Sequence, residues 1–191
     1  MHQQSSINID GIYRILQPET DLERFLIGLP EIQAGLLWGE PRYGHPEGKV
    51  VYHIAEIYKN IDRLTPPLSI KAREQIRIIT LLHDTFKYLE DKSYPRDWSK
   101  HHAKLARLFA EKYISSKTEL EIIELHDEAY YCWRLEVLED EPEQAVLRFR
   151  QLLERLKGRL QLFYIFFKCD TATGDKTQAP VKWFEKKVED I

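Results

Sequence analysis

The chain has 191 residues, 43% of them apolar, with ten tyrosines, eight phenylalanines and four tryptophans, which supports one well-buried domain and excludes general disorder. Its 31 acids against 28 bases leave a net charge of −3, so no nucleic-acid polymer is expected as a partner. Two cysteines make no disulfide framework, the polar start MHQQSSINIDGIY has no basic-then-apolar leader, and no apolar run nears a membrane span, so a cytoplasmic protein without a membrane partner is expected.

Helical periods dominate the chain, and alternating strand patterns barely occur. Two short helices are predicted around TDLERFLIG (20–28) and PEIQAGLLWG (30–39). The turn-rich piece EPRYGHPEG (40–48) follows, with Pro46 as a candidate first residue of the next helix. That helix is predicted over about 46–64, from Val50, Ile54, Ile57 and Ile61 at spacings of three and four, and Pro66 and Pro67 break it. The most apolar block, about 69–90, carries Ile76, Ile79, Leu82, Phe86 and Leu89 and reads as the central helix of a bundle. A loop at 93–99 leads to a helix near 99–114 with Leu105, Leu108 and Phe109 on one side. Thr118 with Glu121 reads as a capping box opening another helix. One long helix is predicted from Pro142 or Glu143 to about Cys169, then a loop, then a closing helix in VKWFEKKVED. The aromatic runs at 130–133 and 162–167 read as core. The whole is one all-α domain, a compact multi-helix bundle spanning 1–191.

The apolar faces carry polar residues that such faces rarely hold. His53 lies a turn before Ile57, His83 a turn after Ile79, His102 on the face of Leu105 and Phe109, and His126 after Ile122 and Ile123. Asp84 follows His83 directly, and Asp170 closes the phenylalanine-rich helix. A single inward histidine reads as a satisfied core residue, and His2 sits in a tail. Four helices with inward histidines and a fifth ending in an inward acid suggest one shared polar centre. Imidazole nitrogen and carboxylate oxygen are the donors for Mn, Fe, Ni, Co or Zn, whereas Ca²⁺ takes oxygen alone and structural zinc takes thiolates.

The order His53, His83-Asp84, Asp170, in VVYHIAEIY, LLHDTFK and FFKCDTATG, resembles the signature of the HD superfamily of metal-dependent phosphohydrolases. The resemblance covers roughly 45–172 and includes the lysine of HDTFK, though Phe86 stands where the family often has glycine. It implies an HD-domain/phosphodiesterase-like bundle, with a helical extension before the metal core and a helix after it. It also implies that His53, His83, Asp84 and Asp170 hold one divalent metal, and that His102 and His126 hold a second, bridged to the first by Asp84. His102 suits that role better than His101, because of the apolar and small residues three and four places on. Asp84 would orient the attacking water, Lys87 would hold a phosphate oxygen, and His102 or His126 would assist the leaving group if only one metal binds.

Arg42, Tyr43 and His45, in the loop before the His53 helix, form a candidate group at the pocket mouth, with Arg42 as a candidate phosphate clamp and an ordinary surface loop as the plainer reading. Asp175 and Lys176 lie near the site by sequence, with a polar turn as the plainer reading, and an ion pair with Asp84 or Glu90 is the plain reading of Lys87. The expected substrate is a small phosphomonoester or phosphodiester, with nucleotides among the candidates. The alternatives are a non-catalytic metal- or nucleotide-binding sensory domain, a di-iron oxygenase and a plain helical interaction protein. The oligomeric state stays open, a homodimer included.

Overall fold

The computed structural model describes residues 7–190. Among them are eleven α-helices and no strand, which is the all-α architecture expected. The helices are α1 (Ile9–Leu16), α2 (Asp21–Ile27), α3 (Pro30–Leu36), α4 (Val50–Asp62), α5 (Ile70–Leu82), α6 (His102–Ala110), α7 (Lys117–Leu125), α8 (Glu128–Val137), α9 (Pro142–Arg155), α10 (Leu160–Thr171) and α11 (Ala179–Glu189).

Helix α5 is the hub, packed against α4, α7 and α10. Ser69 starts it by accepting a hydrogen bond from the Ala72 N–H at 3.3 Å. All seven residues from Ile76 to Leu82 are buried, as a helix enclosed by neighbours requires. Around it, Ile54 and Ile57 of α4, Ile122 and Ile123 of α7 and Phe163 and Phe166 of α10 are fully out of solvent. Each such side chain contributes about 1.5–3 kcal/mol relative to exposure.

The structure corrects several boundaries. Helix α4 begins at Val50, because Arg42 and His45 pair their backbones in a tight turn and the chain from Pro46 to Lys49 stays outside the helix. Helix α5 stops at Leu82, with His83 as its C-cap. From there Thr85, Lys87 and Leu89 each donate to the carbonyl three residues back, tightening the chain into turns. Gly35 of α3 fixes where that turn lies, since a Cβ at Gly35 would stand 1.8 Å from the Thr85 carbonyl oxygen. Leu89 therefore leaves the predicted apolar face and is 54% exposed, and Leu108 on α6 is likewise turned out.

The 99–114 helix is shorter than predicted: a 3₁₀ turn at Trp98–Lys100 precedes α6, which ends at Ala110. The cap of α7 is Ser116, whose hydroxyl bonds Glu119, so the S-x-x-E pair lies two residues earlier than the one predicted. Glu121 instead binds Arg107 and Arg155, tying α7 to α6 and α9. The long C-terminal helix is two helices, broken where Gly158 takes φ +76°. Helices α1 and α8 were not read from sequence. The 130–133 run is only partly core, since Tyr130 is exposed while Cys132 and Trp133 are buried. No helix among the described residues is long and apolar enough to cross a membrane. His2 lies outside the described residues.

Candidate metal centre

Five elements bring their polar residues to one point beside the C-terminal end of α5. His53 comes from α4, His83 and Asp84 from the turn after α5, His102 from the first position of α6, His126 from the end of α7, and Asp170 from the last turn of α10. All but Asp170 are buried, at 3% exposure or less. Ending α5 at Leu82 matters here, because the turn lets the adjacent His83 and Asp84 point into the same space, which successive positions on a regular helix do poorly.

Asp84 is the pivot, and its two oxygens face different partners. Oδ2 lies 3.4 Å from His83 Nε2 and 3.7 Å from His53 Nε2. Oδ1 lies 3.4 Å from His102 Nε2 and 3.5 Å from His126 Nε2. The donor atoms of His53, His83 and Asp84 all lie within 4.8 Å of one another, and so do those of Asp84, His102 and His126. Asp170 joins the first group through Oδ1, 2.9 Å from His53 Nε2. Asp127 joins the second, with Oδ2 3.4 Å from both His102 Nε2 and His126 Nε2.

The outer nitrogens decide what the inner ones can do. His83 Nδ1 is 2.8 Å from the Thr80 carbonyl and His126 Nδ1 is 2.9 Å from the Ile123 carbonyl. A carbonyl only accepts, so each Nδ1 carries a proton and, in the neutral ring, each Nε2 presents a lone pair inward. Carboxylates stand beside the other two rings: Glu47 Oε1 lies 3.1 Å from His53 Nδ1, which also meets the Thr173 hydroxyl at 3.3 Å, and Glu90 Oε1 lies 3.4 Å from His102 Nδ1, which closes no hydrogen bond. Such outer acceptors orient metal-binding imidazoles and raise their basicity.

Inward, hydrogen bonding is incomplete. His53 Nε2, His83 Nε2 and Asp84 Oδ1 are buried without a hydrogen-bond partner, and the 2.9 Å approach of Asp170 to His53 closes no hydrogen bond. His102 Nε2 and His126 Nε2 face each other at 3.2 Å, where two lone pairs repel unless a cation or proton lies between them. Buried polar atoms left this way are costly, at about 1–3 kcal/mol each. A divalent ion on either side of Asp84 would satisfy them, and the nitrogen and oxygen donors suit Mn, Fe, Co, Ni or Zn. Cys169, next to Asp170, is buried, and burial pushes its thiol up to about 11.

The carboxylates at this point are held in their charged form. Burial pushes the Asp84 carboxyl up, but His83, Lys87, His102 and His126 prevail and hold it well below the usual carboxylate range. Asp170 is also held low, against the cost of burial, by Lys176 and His53. Burial works against charge on His102, yet Asp127, Asp84 and Glu90 raise it to about 10. Asp127, Asp170, Asp84, Glu47 and Glu90 stand against the lysines and arginine that pair with them, Lys87, Lys92, Lys176 and Arg96.

A cavity of about 330 Å³ opens beside the cluster, lined by Asp84, His126, Asp127 and Asp170, by Lys87 and Lys176, and by Tyr130 and Phe167. Lys87 Nζ donates to Asp84 Oδ2 at 2.5 Å, so the ion pair and the cavity position coexist. Arg42 is exposed, 6.0 Å from the Trp38 ring, and borders a small side recess with His53 and Lys87 instead of this cavity. His101 is buried too, and its Nε2 bonds the Tyr131 hydroxyl at 2.9 Å and lies 3.5 Å from Glu90 Oε1 and 3.8 Å from Asp127 Oδ2. A wider groove of about 770 Å³ lies beyond it, with its basic residues paired to acids, as Arg148 is to Glu128 and Lys104 to Glu124.

Sequence reading missed Asp127 and Glu47; it gave Glu90 only an ion pair with Lys87, and it gave Lys176 only a polar turn near the site. Only Asp127 left a signal, as the second half of a repeated His-Asp doublet at 126–127. No family model matches the chain, and no curated protein or solved structure matches it either.

Proposed function

We propose that the protein is a metal-dependent phosphohydrolase of the HD type, acting on a small phosphorylated molecule held in the 330 Å³ cavity. The observation that carries this reading is the division of Asp84, with one oxygen toward His53 and His83 and the other toward His102 and His126. That is the arrangement in which one carboxylate serves two metal positions. His53, His83, Asp84 and Asp170 would hold the first ion, and His102, His126 and Asp127 with Asp84 the second. A bound divalent ion supplies an acidified water and withdraws charge from the phosphoryl oxygens.

The chain's own residues do the rest. Glu47 and Glu90 hold the imidazoles of His53 and His102 in place through their outer nitrogens. Lys87, on the cavity wall, steadies a phosphate oxygen as a point charge. Where one ion is bound on the Oδ2 side, His126 and Asp127 line the cavity free of metal and pass a proton to the departing oxygen.

The test is elemental analysis of the purified protein beside the H83A/D84A variant, followed by phosphate-release assays with Mn²⁺, Fe²⁺, Co²⁺ and Ni²⁺. About one or two metals per chain, absent from the folded variant, with metal-dependent phosphate release, is the expected result. No metal uptake by the wild type after reconstitution would remove the reading. Two irons with oxygen consumption and no phosphate release would replace it with an oxygenase.

A further inference from the structure

Among the residues lining the cavity, the basic side chains are Lys87 and Lys176. They reach it from widely separated parts of the sequence. Lys87 sits in the turn after α5, and Lys176 in the loop between α10 and α11. That loop is pinned: the Gly174 N–H donates to Glu56 at 3.0 Å, the Gly44 N–H donates to Asp175 at 2.6 Å, and the Thr173 hydroxyl donates to the Asp170 carbonyl at 2.7 Å. The two lysine side chains are 16% and 19% exposed, whereas Lys92, Lys100 and Lys168 are more than half exposed. These ammonium groups are built into a wall.

Each ammonium is paired with a carboxylate of the candidate metal centre, Lys87 with Asp84 Oδ2 and Lys176 with Asp170 Oδ1 at 2.9 Å. A divalent ion competes for those same oxygen lone pairs. Once the carboxylates are so engaged, the lysines' charge is available to another anion in the cavity. Two ammoniums match a terminal phosphate, which carries close to two negative charges above its second pKa of about 6. A diester offers one negative charge. Tyr130, Phe167 and Pro180 leave an apolar wall for the organic part.

We propose, resting on the phosphohydrolase reading of this site, that Lys176 and Lys87 form a two-point clamp selecting a terminal phosphomonoester over a diester, and that loading of the metal centre releases the clamp. Lys176 is thereby a specificity-determining residue of the cavity.

The experiment is calorimetric titration at pH 8 of phenyl phosphate and of methyl phenyl phosphate into the Mn²⁺-loaded protein. The wild type binds the monoester about tenfold more tightly or better, K176Q loses about that factor for the monoester and little for the diester, and K168Q matches wild type. A second arm needs no metal: D170N removes the negative charge paired with Lys176 and leaves it neutral acceptors such as the residue 170 main-chain carbonyl, now at 3.2 Å. Metal-free D170N therefore binds phenyl phosphate more tightly than metal-free wild type, and D170N/K176Q loses the gain. Equal affinity for the two esters, or K176Q indistinguishable from wild type, overturns the clamp. Phenol release in the same samples judges the phosphohydrolase reading separately, since Lys176-dependent binding without release keeps the clamp and removes that reading.

Discussion

Two buried polar clusters in this fold look alike by composition and differ in how they are satisfied. At the N-terminal end, Glu23 and Arg77 are 0% and 3% exposed. Arg77 donates to both oxygens of Glu23 and to the carbonyls of Leu16 and Gln17, and its guanidinium lies 3.8 Å from the Tyr58 ring centroid. Glu23 also receives Thr20 and the Glu19 N–H, completing the cap of α2. No side-chain atom of that pair is left without a partner. Around Asp84 the outer nitrogens of His53, His83 and His126 are engaged, while His102 Nδ1 and inner atoms of His53, His83 and Asp84 stand unpartnered. The first cluster is closed and holds helices together. The second is open toward its centre, as a site for a ligand must be. Counting buried charges would not separate them; following each lone pair does.

The comparison breaks most visibly at Arg77. R77A strands the Glu23 carboxylate in the core and should cost about 3–5 kcal/mol in denaturant unfolding, while the folded fraction keeps its metal content. Loss of metal with retained stability would mean that the closed cluster serves the centre. Next, metal at a hundred times its Kd should stabilise the wild type by about 2.7 kcal/mol, an effect that chelation reverses and D84N lacks. The outer carboxylates sharpen the picture further. E47Q should weaken metal binding about 10–100-fold on the Asp84 Oδ2 side, and E90Q should do so on the Oδ1 side, so titration should show one weakened equivalent in each case. The smallest effect is expected for H83L, which removes the unpartnered Nε2 together with one buried hydrogen bond, from Nδ1 to the Thr80 carbonyl. Its metal-free stability should stay within about 1.5 kcal/mol of wild type while metal stabilisation is lost. A loss near that of R77A would show that the centre is structural after all.

Much of the site's membership was legible, because helical periodicity reports which face a residue occupies. His53, His83, His102 and His126 stood on apolar faces in the sequence, and all four are buried. The break at Gly158 and the end of α5 were not legible from periodicity, since both continue an apolar pattern through a change of backbone. Gly35 sets the position of the turn at 84–85 from a helix some 50 residues away, and no local rule carries that.

The sequence by itself determined the all-α class, one inward polar residue on each of several helices, and donor types suited to a divalent transition metal. The tertiary structure alone decided that Asp84 divides its oxygens between two histidine pairs, that Asp127, Glu47 and Glu90 complete the arrangement, and that Lys176 faces Lys87 across one cavity. The reason is physical. A helical repeat fixes direction around one axis, whereas distances between residues as far apart as 53, 84 and 170 are set by how five elements pack around α5.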